Sequence, residues 1–154
     1  MSIDALAFRH ALGRFASGVT VVTMRHGDDV HGITVSAFLS LSLAPPLIGV
    51  AIDERATAHA LLASVERFGV SVLAAGQETL SERFAGRPVE GFDDPFEGLA
   101  SERVIRGALA QLVCRIVDRV ATGDHTLVVG EIEALALGDE RPLVYFRGAY
   151  QRLA

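Results

Sequence analysis

The sequence lacks the features that mark several large classes of protein. It has one cysteine, Cys114, which excludes an internal disulfide and is typical of a reducing compartment, so a cytoplasmic location is expected. Nineteen acidic residues outnumber fourteen basic ones, and no segment concentrates the basic residues, so nucleic acid is not an expected partner. No basic region leads an apolar run at the N-terminus, and no signal peptide is predicted.

Short motifs of common nucleotide, hydrolase and metal sites are also missing. The absence of GxGxxG and GxxxxGK[ST] excludes a dinucleotide-fold turn and a P-loop, and there is no GxSxG nucleophile turn. The five histidines show no HxxxH pairing and there is no CxxC, so no metal site is predicted.

One uncharged segment, residues 33–52, is long enough to cross a bilayer. Pro45 and Pro46 would break a helix at its middle, and polar residues alternate with apolar ones at a period of two. The segment is therefore predicted to form strands around a turn, and a membrane is not an expected partner.

The pattern that remains is typical of a mainly β protein. Strands are predicted over residues 19–23, 30–35, 47–52, 70–73, 111–119, 126–137 and 143–146. Helices are predicted from an N-cap at Ser2 to about Gly18, over 56–68 and over 77–84, with a loop over 86–98. Strands outnumber helices and no βαβ series is present, so we predict one domain, residues 1–154, built as a mostly antiparallel barrel.

A row of uncharged hydroxyls makes residues 34–43 the most informative stretch. In an extended chain one face would hold Thr34, Ser36, Phe38, Ser40 and Ser42. The opposite face, assigned to the core, would hold Val35, Ala37, Leu39, Leu41 and Leu43. The hydroxyl row is either a solvated outer face or a ligand surface. Because it carries no charge, it suits a polar planar ligand or a phosphate.

Two other features could carry chemistry. Thr57 lies near a helix start, whose free N–H groups attract anions, and Arg55 ahead of it could hold a phosphate; a simple N-cap with a solvent-exposed arginine is the alternative. His125, in a turn, could contact a substrate or could be an exposed capping residue. Cys114 is predicted to be an inert buried thiol.

These motifs, taken in order, resemble the flavin reductase-like family. They are the TxSxFxSxS run with its Pro-Pro turn (34–46), the GVTVVT strand (18–23), Asp53 with Thr57, Phe84 in ERFA, the GDH turn (123–125) and the closing segment 142–150. The resemblance covers nearly the whole chain. It implies the antiparallel split β-barrel of that family, binding of FMN or FAD, and hydride transfer from NADH or NADPH to flavin for a separate monooxygenase.

The resemblance also implies roles for individual residues. His125 is the implied catalytic residue, facing the nicotinamide together with Tyr145. The implied cofactor-binding residues are Thr34, Val35, Ser36, Ala37, Phe38, Ser40, Leu41, Ser42, Asp53, Arg55, Ala56, Thr57, Arg83, Phe84 and Tyr145. Residues 34–38 would border the flavin ring, 40–42 and 55–57 its ribityl chain and phosphate, and Arg83 and Phe84 would close over it. Many relatives have serine where this chain has Ala37.

A homodimer is expected, because the mean hydropathy of +0.36 is high for one small core. Two alternatives to a reductase stay open on the same fold. One is a flavin carrier without NAD(P)H turnover, and the other is an oxidase of a phosphorylated pyridine ring.

Overall fold

The computed structural model describes residues 2–87 and 93–154, which form three helices and twelve strands. The helices are α1 (Ala5–Leu12), α2 (Thr57–Ser64) and α3 (Glu78–Phe84). The strands are β1 (Ser17–Gly18), β2 (Thr20–His26), β3 (Asp29–Val35), β4 (Phe38–Ser42), β5 (Leu47–Asp53), β6 (Arg67–Val72), β7 (Phe96–Leu99), β8 (Glu102–Ile105), β9 (Ala110–Thr122), β10 (His125–Leu137), β11 (Val144–Phe146) and β12 (Ala149–Gln151). Every strand pairing among the described residues is antiparallel, so the predicted mainly β, antiparallel architecture is confirmed.

The main sheet has seven strands in the order β3-β2-β6-β9-β10-β5-β4. Its two edge strands, β3 and β4, are joined by only two residues, Ser36 and Ala37. Consecutive Cα atoms are about 3.8 Å apart, so the opposite edges of the sheet must meet at this link. The sheet is therefore curled like a barrel whose edges come together at that end. The amide of Phe38 donates to the carbonyl of Ser36 across 2.9 Å and turns the chain there.

Residues 20–24 of strand β2 are buried on both faces of the strand, and all five are apolar or β-branched. Val22 and Met24 enter the main core inside the curled sheet, whereas Val19 and Val21 enter a second core. Helix α3 packs on this second core. The small sheet of β1, β11 and β12 lies beside it, because Leu143, just before β11, belongs to the second core and Tyr150 of β12 packs against it.

The boundaries of the first helix differ from those predicted. Helix α1 begins after Asp4, whose Oδ1 accepts the amide of Ala7 at 2.7 Å, so the predicted N-cap at Ser2 is wrong. The helix ends at Leu12 and not near Gly18, because residues 17–18 pair with β11 instead.

Helix α2 also ends earlier than the predicted 56–68. Its C-cap, Val65, is already extended, and the chain then enters β6, where Phe68 lies opposite Cys114 in the main core. The composition of this segment suits a helix, but pairing and burial in the sheet override that preference.

The stretch 34–43 is not one strand. The turn at residues 36–37 resets the alternation, so the prediction of a core face is wrong for four of its five residues, which are exposed in the single chain: Ala37, Leu39, Leu41 and Leu43. Phe38 is half-buried against the main core instead.

The predicted loop 86–98 is wrong at its end, because β7 and β8 form a hairpin that begins at Phe96. Pro88 and Gly91, two of the breakers on which that prediction rests, lie outside the described residues. No helix within residues 2–87 and 93–154 is long and apolar enough to cross a membrane.

Candidate functional site

Three chain segments meet at one corner of the sheet, beside the link between β3 and β4. The amide of Ala51 donates to the carbonyl of Ala37 across 3.0 Å, which ties the end of β5 to the link. Asp53 lies opposite His125 in the pairing of β5 with β10, and the amide of Glu54 donates to the carbonyl of Asp124 across 3.0 Å. This corner therefore collects residues from several of the motifs noted in the sequence.

A cleft of about 560 Å³ opens on one side of this corner, between β3, the start of α2 and the end of α3. Thr57 and Ala58 line it from the first turn of α2, where the helix has no side-chain cap for its free N–H groups. Arg83 and Phe84 line it from α3, with the guanidinium carbon of Arg83 5.0 Å from the centre of the Phe84 ring. A helix N-terminus and a guanidinium facing one cleft suit an anion such as a phosphate.

Helix α3 is held beside the cleft by two hydroxyl contacts. Thr34 Oγ1 donates to the carbonyl of Ser81 across 2.7 Å, and Ser81 Oγ lies 2.7 Å from the hydroxyl of Tyr150. The Thr34 hydroxyl thus serves to fasten α3 to β3. Tyr150 and Ser81 were not singled out from the sequence, since only the folded chain brings residue 150 to α3.

An apolar groove of about 660 Å³ lies on the other side of the link. Ser36, Ala37 and Phe38 line it, and Leu12 and Phe15 face it from α1 and the segment that follows. Its wall is uncharged and carries small side chains at 36 and 37, so a flat ring can approach the backbone closely. Leu12 and Phe15 were not predicted as site residues.

Arg55 is already paired within its own loop. Its Nη2 lies 2.8 Å from Oδ2 of Asp53, and its Nε lies 3.1 Å from Oδ1. The hydrogen bonds from Arg55 hold the pKa of the Asp53 carboxyl well below its usual range. Arg55 is therefore fastened to Asp53, and a phosphate would have to compete with this carboxylate.

His125 stands at the first position of β10 and is about half-buried. Its Nδ1 lies 2.8 Å from Oδ1 of Asp124, so the neighbouring carboxylate orients the imidazole ring. Thr126, the next residue, points to the other face, where its Oγ1 lies 2.7 Å from Nε2 of His59.

Several predicted site residues lie elsewhere. Tyr145 is in the small sheet, where its ring meets that of Tyr150 edge-on at 5.5 Å; it lies opposite Ser17, which lines the apolar groove. Val35 is buried in the main core, and Ala56 is the N-cap of α2. The remaining three predicted residues are part of the edge strand β4 and line neither the cleft nor the apolar groove: Ser40, Leu41 and Ser42.

Seven of the eleven residues that line the cleft were not predicted as site residues, Gly32 and His31 among them. Gly32 and His31 border it from β3, and burial, with a smaller contribution from His26, lowers the pKa of His31. The sequence carries little signal for either, because their part in the cleft depends on where α3 packs. Within residues 2–87 and 93–154, no group of three His, Cys, Asp or Glu side chains is placed to hold a metal ion.

Comparison with known proteins places this arrangement in a family. Residues 12–154 match the flavin reductase like domain. The reductase component of 4-hydroxyphenylacetate 3-monooxygenase from Thermus thermophilus is 49% identical over 96% of this chain and 95% of its own. An NADH-dependent flavin reductase from a Rhodococcus species is 42% identical, over 98% and 88%. The solved structure of the flavin reductase PheA2 superposes with a TM-score of 0.95 at 41% identity, covering 99% of both chains. The chain therefore belongs to the flavin reductase-like family.

Proposed function

We propose that this protein is an NADH-dependent flavin reductase that passes hydride from NADH to FMN or FAD and supplies reduced flavin to a separate monooxygenase. Family membership supports the reaction, and the name of the 42% identical relative supports NADH as the donor. The 49% identical relative is the reductase component of a monooxygenase, which supports the partner. The observation that carries the proposal is the pair of concavities on either side of the β3–β4 link.

We assign the two ends of a flavin nucleotide to the two concavities. We assign the phosphate to the cleft, where the first turn of α2 and Arg83 present donors and positive charge. The ring is assigned to the uncharged groove beside Ser36 and Ala37, whose small side chains allow close contact. The bound flavin supplies the hydride-accepting chemistry, and the protein supplies position and electrostatics.

The residues around the link have separate roles in this proposal. Phe38, which is half-buried against the main core, gives the groove an apolar wall. His125 orients the nicotinamide at the corner, with its own ring fixed by Asp124. Thr34 acts through α3, since its hydroxyl is bonded to Ser81.

A homodimer completes the proposed enzyme. Helix α1 has no buried residue in the single chain, and Phe15 and Leu43 are 80% and 90% exposed. Exposed apolar side chains of this size beside α1 and β4 mark an interaction surface, and a second copy is the commonest partner. We propose in addition that the curled sheet is a split barrel and that the enzyme is cytoplasmic, as its single free thiol at Cys114 suggests.

The dimer has its own test. Sedimentation of the purified protein is expected to show two chains per particle, and Leu43→Glu is expected to shift it toward one chain. The matched control is Leu137→Glu, which places the same charge on a similarly exposed leucine at the end of β10 and is expected to leave the dimer intact. A wild-type monomer at micromolar concentration would contradict the dimer.

The reductase function is tested by flavin binding and turnover together. Purified protein is expected to bind FMN or FAD with a perturbed visible spectrum, and to oxidise NADH faster than NADPH when free flavin is added. Arg83→Gln is expected to raise the KM for flavin with a smaller effect on kcat, because the cleft holds the part of the flavin that does not react. Flavin binding without any nicotinamide turnover would instead identify a carrier, and failure to bind either flavin would overturn the proposal.

A further inference from the structure

A groove of about 360 Å³ between the end of α1 and the turn joining β11 to β12 is lined by basic side chains. Arg9, His10 and Arg14 come from α1 and the residues just after it, and Arg147 comes from the turn. The sequence shows no basic segment because the fold brings residue 147 to the N-terminal helix. We call this concavity the basic groove.

The positive charge of the basic groove is not compensated by the protein. Arg9, Arg14 and Arg147 make no ion pair with any residue of the described ranges, whereas Arg67 and Arg115 each pair with a glutamate. The chain has nineteen acidic residues for fourteen basic ones, so a shortage of carboxylates is not the cause. Three like charges around one concavity repel each other unless an anion joins them.

The groove is also held in a defined shape. The amide of Arg147 donates to the carbonyl of Gly13 across 2.8 Å and fastens the turn to the end of α1. Arg147 has a φ of 51°, in the left-handed region that favours glycine, and Gly148 follows with a φ of 76°. An arginine is thus kept at a backbone position that arginine disfavours. Arg14 is oriented as well, because its Nη1 donates to the carbonyl of His10 across 2.5 Å.

The basic groove and the apolar groove assigned to the flavin ring are lined by neighbouring residues of the chain. Leu12 lines the apolar groove, and Gly13, the next residue, lines the basic one. The phosphate of the flavin is assigned to the cleft, so the ligand that can extend from the apolar groove toward the arginines is the dinucleotide whose nicotinamide lies on the flavin ring. A guanidinium group can donate two parallel hydrogen bonds to the oxygens of one phosphate. Three arginines around one groove therefore suit a diphosphate.

We infer that the basic groove binds the ADP half of NADH, whose nicotinamide ring lies on the flavin ring in the apolar groove. This inference rests on the proposed function, in which NADH is the hydride donor. Reduced nicotinamide mononucleotide lacks the ADP half and cannot use the groove. The groove thus makes the enzyme favour NADH over the mononucleotide.

The test compares dinucleotides with mononucleotides in three variants, Arg9→Gln, Arg14→Gln and Arg147→Gln. Each variant loses one charge-assisted hydrogen bond, so the KM for NADH is expected to rise about tenfold with FMN as acceptor. The KM for FAD at saturating NADH is expected to stay unchanged, because the flavin phosphate is assigned to the cleft. Turnover of reduced nicotinamide mononucleotide with FMN is expected to stay unchanged. Arg115→Gln, which removes an arginine paired with Glu131 on the β9–β10 ladder, is the matched control and is expected to leave every KM unchanged.

A second measurement uses the wild-type protein and does not depend on the folding of a variant. ADP and inorganic pyrophosphate are expected to bind by calorimetry, to compete with the dinucleotide, and to weaken as salt is added. The inference is overturned if ADP does not bind, or if the variants keep the wild-type KM for NADH. It is also overturned if the variants lose mononucleotide and dinucleotide turnover equally. A third contrary result would be that the arginines bind an acidic protein surface but neither ADP nor pyrophosphate. Failure of the proposed function is distinguishable, since the wild-type protein would then not oxidise NADH with any flavin.

Discussion

The ring of Phe84 lies directly on the backbone of Gly32. A Cβ atom added at Gly32 would stand 2.7 Å from Cδ1 of that ring and 2.8 Å from Cε1, closer than such atoms approach each other. Because glycine has no side chain, the Phe84 ring can pack directly against the backbone of β3 at residue 32. Because Phe84 is the last residue of α3, this contact sets where the end of that helix, with Arg83, borders the cleft.

Gly32→Ala is expected to push Phe84 and the end of α3 away from β3. Overpacking of this kind costs about 1–3 kcal/mol of unfolding free energy, and the displaced Arg83 should weaken FMN binding as well. Urea unfolding and an FMN titration measure the two effects. Gly98→Ala is the control, since the nearest atom to a Cβ at that position is 4.0 Å away. Unchanged stability and FMN affinity in the Gly32 variant would show that the ring moves freely.

The Cys114 thiol is expected to be unreactive in the folded protein. It is buried in the main core, and burial raises its pKa to about 12, so almost no thiolate is present at pH 8. A thiol reagent such as dithionitrobenzoate should react with no thiol in buffer and with one thiol per chain in denaturant. Fast reaction of the native protein would contradict the buried position. Because Cys114 lines neither the cleft nor the apolar groove, Cys114→Ala should lower stability without changing flavin turnover.

The sequence predicted best where an element depends on its own residues. The strands β2, β3, β9 and β10 are marked in the sequence by β-branched runs between glycine turns, and the structure confirms a strand at each of these places. The two-residue strand β1 was missed because it exists only through its pairing with β11. The exposure of Leu39 and its neighbours was missed because alternation was carried across the turn at residues 36–37.

The site shows the same division. Thr57 and Phe84 were found from a family motif, and both line the cleft. The basic groove was not found, because Arg9 and Arg147 meet only in the folded chain. The pairing of Arg55 with Asp53 was also missed, since a sequence does not show whether a loop folds back on its own carboxylate.

The Asp53–Arg55 pair predicts a stability change in acid. Hydrogen bonds from Arg55 lower the pKa of the folded Asp53 carboxyl from its ordinary value of 3.8, so the folded state binds the proton less readily than the unfolded state. The pair therefore contributes stability above about pH 4, and this contribution is lost as the pH falls toward the folded pKa. The difference in unfolding free energy between wild type and Asp53→Asn is expected to shrink over that range.

A carboxyl-detected NMR titration measures the Asp53 pKa directly. In the wild type this pKa should lie below 3.8, and Arg55→Gln should bring it back up, because the main cause of its lowering is removed. Asp53→Asn also releases Arg55 from its carboxylate partner. If the FMN phosphate binds beside Arg55, this variant should bind FMN at least as tightly as the wild type. An Asp53 carboxyl that titrates at its ordinary value would contradict the pairing.

His125→Ala is expected to slow hydride transfer while leaving flavin binding intact. In the proposed enzyme His125 orients the nicotinamide, and a misplaced reactant costs about tenfold to a hundredfold in kcat. Asp124→Asn should have a smaller effect in the same direction, because it removes the 2.8 Å contact that orients the imidazole but keeps the ring. His26→Ala, at the exposed end of β2, is the matched control and should behave as wild type.

Single-turnover reduction of the flavin by NADH separates hydride transfer from substrate binding. If both His125 and Asp124 variants reduce the flavin at the wild-type rate, the nicotinamide does not lie at this corner, and the hydride donor must approach from the side of Tyr145.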